Sequence, residues 1–248
     1  MMNKMTCLCA LATCALSTTS FAQDAAHFSL GVAYINSDSV YVGTSATSRF
    51  APSLSYETET YKINMQDGIS YKVMGDEGFK LSAALSPTFA PYKSSDSAAL
   101  AGMTRKMTIN AKLSGSFEIV RGTTFKVSYS NELTNEHGGT LLDLGVSQFL
   151  PIGGQPVIVS LGTKRHDSKL ANYKYGVKAA EANANRAVYA PGATNVTYVS
   201  VNTFYDLSSS VSAFVNVTAN FLPNEATRSP IVSKTETVTA IVGLAYKF

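Results

Sequence analysis

Side chains that commonly carry catalysis or bind metals are scarce in this chain of 248 residues. Its three histidines, His27, His137 and His166, have neither the H-x-x-H nor the H-E-x-x-H spacing of a metal site. Glu136 places a carboxylate beside His137, but no G-x-S-x-G motif and no complete S-x-x-K set supplies a nucleophile. We therefore predict that the protein is not an enzyme and that it has no catalytic residue, metal or cofactor.

Residues 1–22 have the pattern of a secretory signal peptide, which is cleaved from the mature protein. Lys4 supplies the positive charge, a short apolar stretch follows, and Ser20-Phe21-Ala22 is the cleavage site. An alternative interpretation takes the segment before Cys14 as a lipoprotein signal that is acylated at this cysteine. If residues 1–22 are cleaved as a signal peptide, the mature protein has no thiol, because the removed segment contains every cysteine: Cys7, Cys9 and Cys14.

The composition of the chain argues against a nucleic-acid-binding surface and against a transmembrane helix. The formal net charge is +3, from 20 basic and 17 acidic residues, and this is too small to predict a nucleic-acid surface. No stretch after residue 22 approaches the roughly 18 to 20 uninterrupted apolar residues of a transmembrane helix. Hydrophobic residues nevertheless make up 45% of the chain, so their spacing decides what they build.

Apolar residues recur at every second position, as in β-strands, most clearly over 104–119, 210–222 and 235–248. A soluble β-sandwich also alternates, but its strands average about five or six residues and its outward face carries charge. Here the second face holds mainly Ser, Thr, Asn and Gly, and the segments are long enough for tilted strands that cross a membrane. We predict an all-β fold in which residues 23–248 form a transmembrane, antiparallel up-and-down β-barrel in the outer membrane of a Gram-negative bacterium.

The turns set the strand number. Counting the alternating segments directly gives eleven strands. A bacterial barrel has an even number of strands, because both chain termini lie on the periplasmic side of the membrane. Dividing residues 60–74 at Asp67-Gly68, a hairpin signal, gives about twelve strands, and ten or fourteen remain open. The longer links are predicted to face outward. In the longest of them, the Ala-rich run Gly176 to Ala184 predicts a short helix, which either covers the barrel mouth or lies inside the barrel.

Charged residues fall on the polar rows of the predicted strands. The interior is therefore predicted to be biased positive, with Glu118 and Glu132 opposed to a set of lysines: Lys62, Lys72, Lys80, Lys112 and Lys126. The cluster Lys164-Arg165-His166, with Lys169 nearby, is either a contact for lipopolysaccharide phosphates or an ordinary solvated loop. Phe248, the last residue, is predicted to be part of the signal read by the barrel assembly machinery.

Several short motifs in the last third of the chain resemble the MipA/OmpV family of outer-membrane proteins. The match is strongest over about residues 172–248, where the order and spacing of the motifs agree. The chain departs from the family pattern in lacking a Trp near Ser209 and a Gly-Arg pair after Ala90. The matching residues are Tyr175, Gly176, Val177, Tyr189, Gly192, Ser229, Pro230, Gly243 and Tyr246.

The resemblance implies a barrel without catalytic residues. Members of the family include a protein that scaffolds a murein-degrading lytic transglycosylase with a peptidoglycan synthase, and others are osmoregulated or adhesive surface proteins. We therefore expect a structural or scaffolding role at the cell envelope. The expected partners are outer-membrane lipids, lipopolysaccharide, a murein hydrolase and a peptidoglycan synthase. The alternatives are a narrow, anion-preferring channel for small solutes and a surface adhesin.

Overall fold

The computed structural model describes residues 26–65, 67–76 and 78–248. The predicted signal peptide, residues 1–22, lies outside the described residues. The described residues form twelve strands, which are numbered in chain order: β1 (His27–Ser37), β2 (Thr47–Glu57), β3 (Tyr61–Asn64), β4 (Gly68–Gly75), β5 (Phe79–Thr88), β6 (Thr108–Val120), β7 (Thr123–Glu132), β8 (Thr140–Ile152), β9 (Gln155–His166), β10 (Thr194–Asp206), β11 (Val211–Phe221) and β12 (Glu236–Lys247).

The strands form one closed antiparallel barrel. Each strand pairs with its neighbours in sequence, and β12 pairs with β1 to close the sheet. The predicted up-and-down barrel and the predicted strand number are both confirmed, and the chain does turn at Asp67-Gly68, between β3 and β4. Closure matters in a membrane because an open sheet edge would expose unpaired backbone groups to lipid.

Strand length and facing suit a membrane span. Apart from β3 and β4, the strands are 10 to 13 residues long, which fits the roughly 9 to 11 residues that a tilted strand needs. On β6, Leu113 and Phe117 are exposed on the outer surface, whereas Lys112 and Ser114 line an internal cavity. The alternation in the sequence therefore becomes an apolar exterior and a polar lumen.

The barrel closes at the seam between β1 and β12, which pair from Ser29 to Ser37 of β1. One residue beyond β12, the backbone N–H of Phe248 donates to the Phe28 carbonyl oxygen at 3.0 Å. The ring of Phe248 lies 5.2 Å from the ring of Phe28 and 4.8 Å from that of Tyr246, measured between centroids. The chain end therefore adds a hydrogen bond and aromatic contacts to the closure.

The links at the two ends of the barrel differ in length. At one end they have two to four residues each: 58–60, 76–78, 121–122, 153–154 and 207–210. At the other end the short turn 65–67 is accompanied by longer links: 38–46, 89–107, 133–139, 167–193 and 222–235. Bacterial barrels have short periplasmic turns and longer outer loops, so we assign the first end to the periplasm.

The predicted helix over Gly176 to Ala184 is wrong, because only Ala179–Glu181 forms a single 3₁₀ turn there. The outer loop 167–193 does contain a helix, α1, but it spans Ser168–Tyr175. A second, one-turn helix, α2, spans Asn224–Thr227. Among the described residues, no helix is long and apolar enough to cross a membrane.

Local capping explains where α1 lies. The carboxylate of Asp167 accepts a hydrogen bond from the Leu170 N–H at 2.8 Å, which satisfies a free donor of the first turn. The helix ends at Gly176, where a Cβ atom would lie only 2.5 Å from the Asn172 carbonyl oxygen. The Ala content of the following residues is a weaker signal than these two boundaries.

A buried apolar core lies under the outer loops. It draws residues from four of them, 38–46, 89–107, 167–193 and 222–235, which we call the loop cap. These loops hold one another in place through a single cluster of buried side chains: Val40, Tyr41, Tyr92, Leu100, Met103, Tyr175, Val177, Ala226, Ile231 and Val232.

Candidate functional site

The periplasmic half of the lumen holds a cavity of about 590 Å³, which we call the lower cavity. All five lysines predicted on the polar rows line it: Lys62, Lys72, Lys80, Lys112 and Lys126. Three carboxylates line it as well, those of Glu57, Glu59 and Asp143. Glu118 does not line it, since its carboxylate accepts a hydrogen bond from the Gly122 N–H at 2.6 Å in the turn after β6. The lining is therefore biased toward positive charge.

Two further cavities lie in the outer half of the lumen. The middle cavity has a volume of about 240 Å³, and the upper cavity, under the loop cap, about 570 Å³. Lys112 and Asp143 line both the lower and the middle cavity, while Lys164 and Lys174 line both the middle and the upper cavity. Because neighbouring cavities share lysines, a row of ammonium groups runs from the periplasmic end of the lumen to the loop cap.

Lys174, near the end of α1, directs its ammonium group at a buried imidazole. Its Nζ lies 3.4 Å from His166 Nε2, and the other ring nitrogen, Nδ1, lies 3.2 Å from Thr194 Oγ1. Burial, and secondarily repulsion from Lys164, lowers the pKa of Lys174 to about 8. In the described part of the chain, no carboxylate lies within salt-bridge distance of this amine. A partly buried cation without a carboxylate partner is available to an anion.

The predicted basic cluster Lys164-Arg165-His166 is divided between two faces of β9. Lys164 and His166 line the upper cavity, and Lys164 Nζ lies 4.7 Å above the ring of Tyr198. Arg165 is exposed and contacts Asn195 at 3.4 Å. Neighbouring residues of a strand point to opposite faces, so Arg165 and the nearby Lys169 are exposed while Lys164 and His166 face the lumen. Contact with lipopolysaccharide stays a prediction.

The loop cap contains a buried ion pair between two of its loops. Arg105 donates through Nη1 to Glu181 Oε1 at 2.6 Å and through Nη2 to Glu181 Oε2 at 3.2 Å. The two side chains are 2% and 11% exposed. Burial by itself would raise the pKa of Glu181, but hydrogen bonds from Arg105 and from the Lys178 backbone N–H lower it overall. The bidentate geometry ties loop 89–107 to loop 167–193.

A second arginine joins the same two loops through backbone carbonyl groups. The Arg186 guanidinium donates to Ala99 and Ala101 in one loop and to Glu181 in its own, the last through Nε at 2.9 Å. The guanidinium of Arg105 also lies 5.4 Å from the ring centroid of Tyr92. These contacts, together with the apolar core, make the loop cap a packed structure over the outer mouth of the lumen.

Glu136 and His137, the adjacent acid and imidazole, each bind other groups. The carboxylate of Glu136 pairs with Lys106 at 2.5 Å. The His137 ring accepts a hydrogen bond at Nδ1 from the Gly139 N–H at 2.9 Å, and its centroid lies 4.6 Å from that of the Tyr173 ring in a tilted arrangement. Nearby, the Glu132 carboxylate binds loop N–H groups. Each of these groups has a structural role in the outer end of the barrel, and the expectation that the protein is not an enzyme stays a prediction.

Most of the residues that carry the family resemblance meet in the loop cap. The Ser229 hydroxyl donates to the Tyr175 carbonyl oxygen at 2.5 Å, and Val177 and Tyr189 exchange two backbone hydrogen bonds of 2.9 and 3.0 Å. The Tyr189 hydroxyl donates to the Glu225 carbonyl oxygen at 2.7 Å. Two members lie elsewhere, on β12: Gly243 and Tyr246. Gly176, Gly192 and Pro230 belong to the loop cap with the others.

The residues that fasten the loop cap were not among those predicted from the sequence. Arg105 is part of the alternating segment 104–119, whereas the structure begins β6 at Thr108 and leaves Arg105 in a loop. Glu181 and Arg186 lie in the loop 167–193, and Arg105 and Glu181 are 76 positions apart. A signal for them did exist in the sequence. Charged residues stand there among apolar and small residues, in segments that are too rich in Ala, Tyr and Val to be ordinary solvated loops.

Comparison with known proteins agrees with the family motifs. The family model described as MltA-interacting protein MipA matches residues 30–248. The YiaT protein of Escherichia coli (strain K12), whose name places it in the outer membrane, is 25% identical over 228 residues, which cover 90% of this chain and 92% of that protein. Outer membrane protein Omp26La of Vibrio anguillarum is 26% identical over 73% of this chain and 71% of its own length. A solved structure of the NanC porin covers 88% of this chain and all of its own, with a TM-score of 0.45 and 9% identity. The chain is an outer-membrane β-barrel that belongs to the MipA family.

Proposed function

We propose that the protein is a narrow channel that prefers small anions. The observation that carries this proposal is the row of lysines shared by the lower, middle and upper cavities. In a confined lumen with low-dielectric walls, fixed charges of one sign raise the local concentration of counter-ions. Rings of basic side chains accordingly favour anions in pores.

The dimensions of the lumen support small solutes. Twelve strands make a barrel wider than the roughly eight-stranded type that side chains can fill, yet narrower than the large general porins. The three cavities, of about 240 to 590 Å³, are comparable with or smaller than sites for small molecules. The loop cap lies over the outer mouth, so we expect small unitary currents.

The test is the reversal potential of the purified protein in planar bilayers under a potassium chloride gradient. We expect anion preference, because chloride is the counter-ion of the lysine row. Lys112→Glu changes a residue that lines both the lower and the middle cavity and should shift the reversal potential toward that of potassium. Lys169→Glu makes the same change of charge on the exposed face of α1 and serves as the matched control. Cation preference in the unmodified protein would contradict the proposal.

A scaffolding role is the second candidate, supported by the description of the matching family as MltA-interacting. On the periplasmic side such a role would use the short turns of two to four residues, which offer a partner little surface. We expect affinity capture from cell envelopes to enrich a murein hydrolase and a peptidoglycan synthase, and Arg121→Glu, in the two-residue turn after β6, to reduce that enrichment. Equal recovery with and without the bait would contradict scaffolding. The adhesin alternative stays a prediction.

A further inference from the structure

The barrel wall has a gap in its strand pairing near the outer end. One edge of β2 pairs with β1 along its whole length, from Glu57 to Thr47. Its other edge pairs with β3 only at three residues, Ser55 to Glu57. Across the gap, β5 pairs with β4 only as far as Leu85. We call the space between residues 47–54 and residues 86–90 the notch.

The notch exists because the hairpin of β3 and β4 turns back early. The side chain of Asn64 accepts a hydrogen bond from the Asp67 N–H at 2.6 Å, and Gly68 adopts a left-handed φ of 79°. The tip is fastened to β5 by the Ser86 hydroxyl, which donates to the Asp67 carbonyl oxygen at 2.6 Å. The two strands that border the notch contain Pro52 and Pro87, and proline is confined in sheets mainly to edges, strand starts and bulges.

A free strand edge cannot face hydrocarbon. Residues 47–54 of β2 have no strand partner on the notch side among the described residues, and unsatisfied backbone groups are strongly unfavourable in lipid. Such backbone is tolerated at membrane depth only where protein buries it or where it lines a water-filled cavity. Across the notch, the guanidinium of Arg49 lies 5.9 Å from the ring centroid of Phe89. The notch is therefore a polar interruption in the wall.

The cavities of the lumen reach both borders of the notch. The upper cavity is lined by Thr47 and Arg49 of β2 and by Ala90 beyond β5. The middle cavity is lined by Ser86 and Thr88 of β5, together with Asp67. Acidic residues are present too, since Asp38 and Asp96 line the upper cavity. The cations in the two cavities outnumber these carboxylates and those of Asp67 and Asp143: Arg49, Lys93, Lys112, Lys164 and Lys174.

The outer surface around the notch is apolar. Phe50 on β2 and Phe89 after β5 are 76% and 62% exposed. Next to the hairpin tip, the lipid-facing surface has a depression of about 560 Å³, where the small residues Ala83 and Ala111 lie between larger side chains. Those larger residues include Ile69 and Leu85, which form the last pair between β4 and β5. An apolar surface outside the wall thus adjoins a cationic cavity inside it.

We propose that the notch is a lateral entrance for a single-chain amphiphile with a carboxylate head. The head enters between β2 and β5 and binds Arg49 and the lumen lysines, while the tail lies against Phe50, Phe89 and the apolar depression. This inference rests on the proposed anion preference for the route that the head takes once it is inside. The path between the lumen and the outer leaflet of the membrane is then lateral: it passes through the notch, beneath the packed loop cap.

The test uses the absence of tryptophan from the chain. Phe89→Trp places a single tryptophan at the notch, and Phe149→Trp places one at an exposed position of β8 as the matched control. Both proteins are titrated with ω-bromoundecanoate, whose bromine quenches nearby indole fluorescence, in vesicles of neutral lipid. We expect saturable quenching at position 89 that unbrominated undecanoate reverses, and only non-saturable quenching at position 149.

The charge of the head is tested by a neutral probe and a variant. ω-Bromoundecanol should show no saturable component, and Arg49→Glu in the Phe89→Trp background should weaken bromoundecanoate binding about tenfold or more, as expected when a charge-assisted contact is replaced by repulsion. Equal, non-saturable quenching at both positions would overturn the lateral entrance. This measurement needs no conductance: a notch that binds while the bilayer assay shows no current refutes the channel alone, and anion-selective current without saturable quenching refutes the entrance alone.

Discussion

Removing Arg105 should release the loop cap from the mouth of the barrel. Its guanidinium is the bidentate partner of Glu181, and its Nε also donates to the Tyr173 carbonyl oxygen at 2.8 Å. In Arg105→Met the aliphatic volume is largely kept, but the carboxylate of Glu181 is left without its counter-ion at a position where its side chain is 11% exposed. The perturbation therefore removes the ion pair that joins two loops, together with the hydrogen bond to Tyr173.

The size of the effect follows from burial. Removing one partner of a buried ion pair costs about 3 to 5 kcal/mol, because the remaining charge is uncompensated. At about 1.4 kcal/mol for each factor of ten, the open population of the cap should rise about 100-fold or more. The control is Lys106→Met, which breaks the neighbouring pair with Glu136. In that pair the lysine side chain is 69% exposed and the glutamate 23% exposed, and exposed pairs contribute at most about 1 kcal/mol.

The assay is limited trypsin digestion of the folded barrel, with cleavage after Lys178 followed by mass spectrometry. Lys178 is exposed and lies three residues before Glu181, and cleavage follows the open population when opening is fast relative to proteolysis. The double variant Arg105→Met/Glu181→Met removes both charges and should recover much of the protection. Equal cleavage rates for Arg105→Met and Lys106→Met would refute the reasoning.

Three further results are expected. The pKa of Glu181 is lowered in the folded cap, so its contribution is complete above the ordinary carboxylate value of about 4.3 and is lost as the pH falls through the lower folded value. The protection of residues 176–186 from hydrogen exchange, measured relative to the intrinsic rate at each pH, should therefore fall in acid below about pH 4, and Glu181→Gln should remove this dependence. Val242→Arg, at an exposed position of β12, should destabilise the barrel by about 2 to 4 kcal/mol in folding titrations if it lies near the bilayer midplane, whereas Thr239→Arg on the lumen row should cost less; equal losses would mean that the facing is wrong. Deleting Phe248, which contacts Phe28 across the seam, should reduce the yield of folded protein in the heat-modifiable migration assay, and an unchanged yield would speak against its role in assembly.

The barrel could be predicted almost entirely from the sequence because its information is local. A period of two assigns every strand residue to the lipid or to the lumen, and an up-and-down barrel pairs each strand with its neighbours in the chain. The prediction of twelve strands depended on two arguments. Both chain termini lie on the periplasmic side, which requires an even number of strands, and Asp67-Gly68 is a turn signal. The same alternation placed Lys112 and Lys126 on the polar row, and the structure places both beside one cavity.

The loop cap could not be predicted, because its contacts join positions far apart in the chain. The predicted helix after Gly176 failed for this reason: Glu181 pairs with Arg105, from another loop, and the helix boundaries are set by Asp167 and by the close approach of Gly176 to Asn172. Composition describes what an isolated segment prefers. It carries no information about a partner 76 positions away.

The notch shows most clearly which features the sequence determines and which only the tertiary structure decides. The sequence by itself determined that the hairpin of β3 and β4 is short, since two strands had to share residues 60–74. Only the tertiary structure decided which edges that shortness leaves unpaired, because pairing register is a relation between strands and not a property of one. Register leaves residues 47–54 of β2 without a partner on one side. The same three-dimensional arrangement brings Arg49 and the lysines of β9 and α1 around the cavity behind that edge.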